Sequence, residues 1–163
     1  METKTNKYFL YLGVTWTILF ACMSFYWAMG GMLGVRSLGG EIYEIALNPE
    51  PSFILIVWIT GFMKLLGIVI LMLLLANWRN SRIRKILYFI TKTLGLLLFI
   101  YGLLNIITIS LSILGILDFK IDHYAAPWRL FFWEPYWMLG GIFYFFSVKK
   151  VSSPVVESHP FSN

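Results

Sequence analysis

Four long apolar runs dominate this chain, at about 8–31, 53–76, 87–116 and 130–148. A helix that crosses a bilayer takes roughly 20 mostly apolar residues, and each run meets that length, the fourth being the shortest. Lipid offers the backbone no hydrogen bonds, so only helices and closed barrels span it. The runs lack the two-residue alternation of a barrel strand. An all-α, membrane-embedded four-helix bundle follows. Residues 1–150 form its single domain. Residues 151–163 are polar and are expected to be a disordered cytoplasmic tail. Composition agrees: 59% of the residues are hydrophobic and only 13% charged, against about 25% charged in a soluble domain.

Orientation is read from the basic residues. Lys4 and Lys7 precede the first run, Arg79, Arg82, Arg84 and Lys85 join the second to the third, and Lys149 and Lys150 follow the fourth. The two remaining loops hold only Arg36, Lys120 and Arg129. Basic loops stay in the cytoplasm, which puts both termini inside. The net charge of +5 then forms a basic rim against anionic headgroups. These cations abut helix ends and belong to no soluble domain, so nucleic acid is not an expected partner. Lys4 and Lys7 before an apolar run also have the form of a secretory signal, and Leu19-Phe20-Ala21-Cys22 loosely resembles a lipoprotein cleavage box. The run continues past Cys22 to Met29, which favours an uncleaved helix. Cys22 is the one cysteine, so no internal disulfide or Cys-x-x-Cys centre is available.

Within the helices one motif occurs twice. Tyr26-Trp27-Ala28-Met29-Gly30-Gly31 closes the first run, and Tyr136-Trp137-Met138-Leu139-Gly140-Gly141 lies in the fourth. Both copies are expected near the outer face. Gly13, Thr17, Ala21, Ser24, Ala28 and Gly31 recur every three or four residues as one small-residue stripe, beside a face of Trp16, Phe20 and Trp27. The fourth helix carries a comparable face of Trp133, Trp137, Gly140, Tyr144 and Ser147. Small stripes let helices approach closely in lipid, and Trp and Tyr gather at interfaces, so a packing seam explains the pattern. A second reading is an outward-facing cavity walled by Trp27 and Trp137, with Tyr26 and Tyr136 beside them.

Polar residues inside the runs are few. Lys64 lies near the middle of the second run, where a charge costs at least about 2.5 kcal/mol and marks a functional site by default. Backbone carbonyls, Asn105 or Thr108 are its candidate partners, and snorkelling is the alternative. Glu134 is the nearest acid by topology, though a long reach. Tyr101, Asn105, Thr108 and Ser112 share one face of the third helix, as interhelical hydrogen bonds or a polar pathway would require. In the outer loops Glu41-x-x-Glu44 suits a short surface helix, and Pro51 suits a helix start. Arg129, Glu134 and His123 could be assembled into acid–base chemistry. Two acids and one His in that loop, Asp118, Asp122 and His123, make no metal signature at their spacing, and no cofactor-binding fingerprint is present.

Phe25 to Gly31 and Trp133-Glu134-Pro135-Tyr136-Trp137-Met138-Leu139-Gly140-Gly141 resemble the motifs of a bacterial family of small four-helix membrane proteins of unknown function. Members of that family often carry His two residues before the Tyr-Trp pair, where this chain has Ser24. The resemblance implies a multi-pass protein of the bacterial cytoplasmic membrane and no particular activity. The expected function is binding of a lipid-like ligand or a partner helix at an outward-facing aromatic site, with no cofactor and no metal. Trp27, Trp137, Tyr26, Tyr136, Lys64, Glu134 and Arg129 are the candidate ligand-binding residues. Membrane lipid, a second copy of the chain or another membrane protein are the expected partners. Two alternatives are a small oligomeric transporter using Lys64 and a membrane enzyme acting on lipid at the outer surface with Glu134, Arg129 and His123.

Overall fold

The computed structural model describes residues 2–118 and 122–151, so Lys120 and the tail beyond Val151 lie outside the described residues. The chain is mostly helical. A short strand β1 (Glu2–Thr5) leads into α1 (Lys7–Ala28). A 3-10 turn (Val35–Leu38) and a short helix α2 (Gly40–Leu47) follow. The long helices α3 (Pro51–Leu73) and α4 (Ser81–Ile113) come next. The last helical stretch is composite. It runs from α5 (Ala125–Trp128) through a π-helical turn (Arg129–Trp133) to α6 (Glu134–Phe146), and it ends in strand β2 (Val148–Val151). Three helices, α1, α3 and α4, are long and apolar enough to cross a membrane.

Helix boundaries have local causes. Pro51 sits in the first turn of α3, where its missing N–H goes unneeded. Asn80 caps α4 by accepting from the Arg82 N–H at 2.9 Å. The first apolar run extends to residue 31, yet α1 stops at Ala28. Gly30 adopts φ +89, in the left-handed region. Its N–H bonds the Trp27 carbonyl at 2.9 Å, and the Gly31 N–H bonds Tyr26 at 2.9 Å. That pair of bonds is a Schellman cap.

The helices pack as two pairs, α1 against α3 and α4 against α6, and α1 meets α6 between them. The α4–α6 seam is close because it is built on glycine. A Cβ at Gly95 would lie 2.6 Å from Phe145 N and 2.8 Å from Gly141 O. A Cβ at Gly141 would lie 2.6 Å from both Gly95 O and Phe99 N. Trp16 and Tyr136 lock α1 to α6 reciprocally: Trp16 Nε1 donates to Tyr136 O at 3.0 Å, and Tyr136 OH donates to Trp16 O at 3.2 Å. Thr17 and Tyr144 share a buried hydroxyl bond of 2.9 Å. By contrast α3 and α4 barely meet, which leaves a gap between the pairs.

The two ends of the bundle differ. At one end β1 and β2 pair antiparallel, with Lys4 opposite Lys149. Thr5 Oγ1 there donates to the Leu74 carbonyl at 3.1 Å and lies 3.4 Å from the Tyr88 hydroxyl, which fixes the strand pair beside the α3–α4 turn. At the other end the 3-10 turn and α2 cover the bundle. Trp133 Nε1 donates to Ser37 Oγ at 2.8 Å, and Gly40 lies against Asp122.

Candidate functional site

The gap between the helix pairs holds a cavity of about 430 Å³ at the α2 end. Small-molecule sites run from about 300 to 1,000 Å³, so it can take a ligand. Phe20, Ser24, Trp27 and Ala28 of α1 form one wall. Phe53, Val57, Thr60 and Lys64 of α3 form another. Tyr101 of α4, with Arg129, Trp133, Glu134 and Trp137, completes the far side. Val35, Leu38, Ile42 and Ala46 close the top.

The aromatic wall is built of two ring clusters. Trp27 packs on Trp133 with ring centroids 5.7 Å apart, and Trp137 meets Phe20 at 4.6 Å and Tyr101 at 5.2 Å. The rings are held by their polar edges. Trp27 Nε1 donates to Leu33 O at 2.8 Å, while Trp133 Nε1 is taken by Ser37. Both hydrogen bonds anchor the covering segment to the cavity wall.

The π-helical turn has a chemical consequence. Pro135 has no N–H to donate, which frees a carbonyl in the turn before it and lets the ladder slip to wider spacing. In an α-helix residues five apart face away from one another. Bonding from i to i+5 stacks them instead. Arg129 therefore reaches Glu134, giving Nε and Nη2 bonds of 3.0 and 2.9 Å, both to Oε1. Glu134 is buried, at 3% exposure. Asn105 of α4 lies beside the same carboxylate.

Lys64 is the other ion in the cavity. Its Nζ lies 4.4 Å from the Phe20 ring centroid and 3.4 Å from the Thr60 carbonyl one turn back. Among the described residues it makes no ion pair, since the one salt bridge joins Arg129 and Glu134. Asn105 lies beside Glu134, and Thr108 bonds the Leu104 carbonyl of its own helix at 2.9 Å; neither bonds Lys64.

Five of the seven residues read from the sequence as ligand-binding line this cavity together: Trp27, Trp137, Lys64, Glu134 and Arg129. Lys64 and Glu134, far apart by chain topology, share one space. Tyr26 and Tyr136 do not line it. Tyr136 locks α1 to α6, and the Tyr26 ring covers Gly31 while its hydroxyl accepts from the Leu33 N–H at 3.4 Å. His123 is exposed and does not line the cavity. Ser24, which occupies the position of the His that the resemblance singled out, is buried on the cavity wall.

The repeated motif splits into two functions. Gly30 and Gly31 cap a helix, and a Cβ on Gly30 would meet nothing within 4 Å. Gly140 and Gly141 are packing glycines, the first under the Trp16 ring and the second against Gly95. What the sequence reading missed is the cover. Ile42 and Ala46 lie four apart on α2, and that amphipathic spacing was the available signal.

No curated protein and no solved structure matches the chain. A family model does match, over residues 17–144. That span contains every residue that lines the cavity and leaves out the β1–β2 pair. The chain belongs to this family, described as Protein of unknown function (DUF3995).

Proposed function

We propose that this protein is a four-crossing integral membrane protein of the bacterial cytoplasmic membrane, with both termini inside, that holds an amphipathic lipid-like ligand by its anionic group. The observation that carries the reading is the Lys64 ammonium. It lines an aromatic cavity and makes no ion pair among the described residues. Arg129 is already matched by Glu134, so Lys64 is the uncompensated charge of the site. An unpaired cation within a membrane bundle is stable only if something neutralises or solvates it. A carboxylate or phosphate does so, and the tryptophan walls suit an acyl chain beside it.

Membrane embedding has its own support. Leu55, Ile56, Ile59, Phe62, Met63 and Leu66 of α3 are all at least half exposed, and none of them is polar. Soluble monomers rarely expose apolar patches of that extent. The composite stretch from α5 to α6 supplies the fourth crossing, which returns the chain to the β1 end.

Native mass spectrometry from a mild detergent tests the reading. Wild-type protein is expected to retain an acidic lipid at one per chain, and Lys64→Met is expected to lose it. The same spectrum reports whether the chain is a homo-oligomer. Wild-type protein free of lipid, or carrying the same lipid as Lys64→Met, would refute the assignment.

A further inference from the structure

The long helices touch in the order α3, α1, α6, α4. That order makes an arc, and its two end helices, α3 and α4, barely meet. The turn that joins them lies at the β1 end, beside Thr5. At the α2 end the arc is therefore open on one side. Every helix of the arc contributes to the cavity: Phe20 from α1, Lys64 from α3, Tyr101 from α4 and Trp137 from α6. The cavity thus lies inside the arc and faces the gap. Thr60 of α3 and Tyr101 of α4 line the cavity and are also exposed. The exposed residues a turn from each are apolar: Ile56 and Met63 on α3, Leu97 and Leu104 on α4. The water-facing end, by contrast, is covered by Ile42 and Ala46 of α2.

We propose that the gap between α3 and α4 is a lateral portal to the bilayer, and that the ligand is a two-chain acidic phospholipid whose headgroup sits in the cavity while chain passes out between Thr60 and Tyr101. The proposal rests on the assignment of Lys64 to the ligand's anionic group. Lys64 lies about 20 Å along α3 from Pro51, at 1.5 Å a residue. A headgroup held there is at the depth of the bilayer's acyl chains, beneath a covered top. A space of about 430 Å³ is near the small end of ligand sites, and it takes a headgroup beside the tryptophans rather than two whole chains. The remaining chain has one apolar way out, which is sideways along Ile56, Met63, Leu97 and Leu104. The headgroup in turn keeps hydrocarbon away from the Lys64 ammonium, a contact that would be costly.

The test is photo-crosslinking in phosphatidylcholine vesicles that contain a minority of phosphatidylglycerol. Single cysteines replace Thr60 or Phe62 in a Cys22→Ser background and carry benzophenone maleimide. Phe62 is exposed and lies at nearly the same depth, but it points about 200° round α3 from Thr60, away from the gap. Crosslinked lipid is identified by mass spectrometry. At Thr60→Cys phosphatidylglycerol is expected about tenfold above its share of the vesicle, the value of one hydrogen bond to a charged group. At Phe62→Cys it is expected at its vesicle share. Adding Lys64→Met is expected to abolish the enrichment at Thr60→Cys. Tyr101→Cys repeats the measurement from α4 and covers the case in which Thr60→Cys does not fold. No enrichment at either lip, in protein that still retains acidic lipid in native mass spectra, overturns the portal and leaves the Lys64 site standing. No enrichment and no retained lipid overturns both. Equal enrichment at Phe62→Cys, or enrichment at Ile42→Cys alone, overturns the portal. So does a crosslink from Thr60→Cys to a second copy of the chain in place of lipid, which would make the gap a subunit interface.

Discussion

Lys64 stands near the middle of α3, and its importance was legible from position alone, because a lysine that deep in an apolar run is costly. Its partners were not legible. The sequence offered Asn105 and Thr108, and the structure gives it the Phe20 ring and its own helix's Thr60 carbonyl. Helical periodicity ranks residues on one helix but says little about which face of another helix they meet. Glu134 illustrates the same limit: its alignment with Arg129 depends on a π-helical turn that hydrophobic patterning does not encode. Lys64→Met removes a half-buried cation that no carboxylate balances. Thermal aggregation of the variant in detergent is expected at or above the wild-type temperature, since burying that charge costs at least about 2.5 kcal/mol. Bound acidic lipid is expected to fall in the same sample. A lower aggregation temperature would make Lys64 a structural residue and would count against its role in ligand binding.

Each helix is ended or brought close by a few small residues, and the twin Gly-Gly pairs show how one sequence pattern serves two structural purposes. The sequence reading treated both pairs as close helix contacts. Only the second is one, because α1 has already ended when the first begins. Replacing either pair therefore fails for a different reason. Gly30→Ala has room for its methyl group but must hold a left-handed φ of +89, a conformation that costs roughly 1–2 kcal/mol for a residue with a Cβ. Gly141→Ala keeps ordinary helical geometry but drives a methyl into the backbone of α4 on two sides. Backbone cannot rotate away, so the cost is expected at the upper end of the overpacking range, about 3 kcal/mol. Thermal melts of both variants in one detergent should rank Gly141→Ala below Gly30→Ala, and both below wild type. The reverse order would show that the α4–α6 seam opens easily. Gly30→Ala is further expected to loosen the segment that carries Leu33, and with it the Trp27 anchor. Loss of bound lipid from this variant, at only mild cost in stability, would reveal that link.

Across the whole molecule the readable features were length, hydropathy and charge, which require no knowledge of contacts. The β1–β2 pair was not legible, since strands of four residues at the chain ends carry no periodic signal. That pair has a topological consequence. It holds the beginning of α1 and the end of α6 at one end of the bundle, and Thr5 ties that end to the α3–α4 turn. In a membrane, an even number of crossings separates two such points. Lys4 and Arg82 should therefore share a compartment, and Glu44 on α2 should lie in the other. Lys4 and Lys149 lie directly opposite at the β1 end, and the proposed orientation expects that end to face anionic headgroups on the cytoplasmic side. The test places single cysteines at Lys4, Glu44 and Arg82 in a Cys22→Ser background and adds a membrane-impermeant maleimide to intact cells. Glu44→Cys is expected to react at once. Lys4→Cys and Arg82→Cys are expected to react only after the membrane is opened. Labelling of both from outside, with Glu44→Cys silent, would invert the protein in the membrane and move the mouth of the cavity to the cytoplasmic leaflet. Labelling of Lys4→Cys and Arg82→Cys from opposite sides would break the tie between Thr5 and the α3–α4 turn, and α1 and α3 could then not both be crossings.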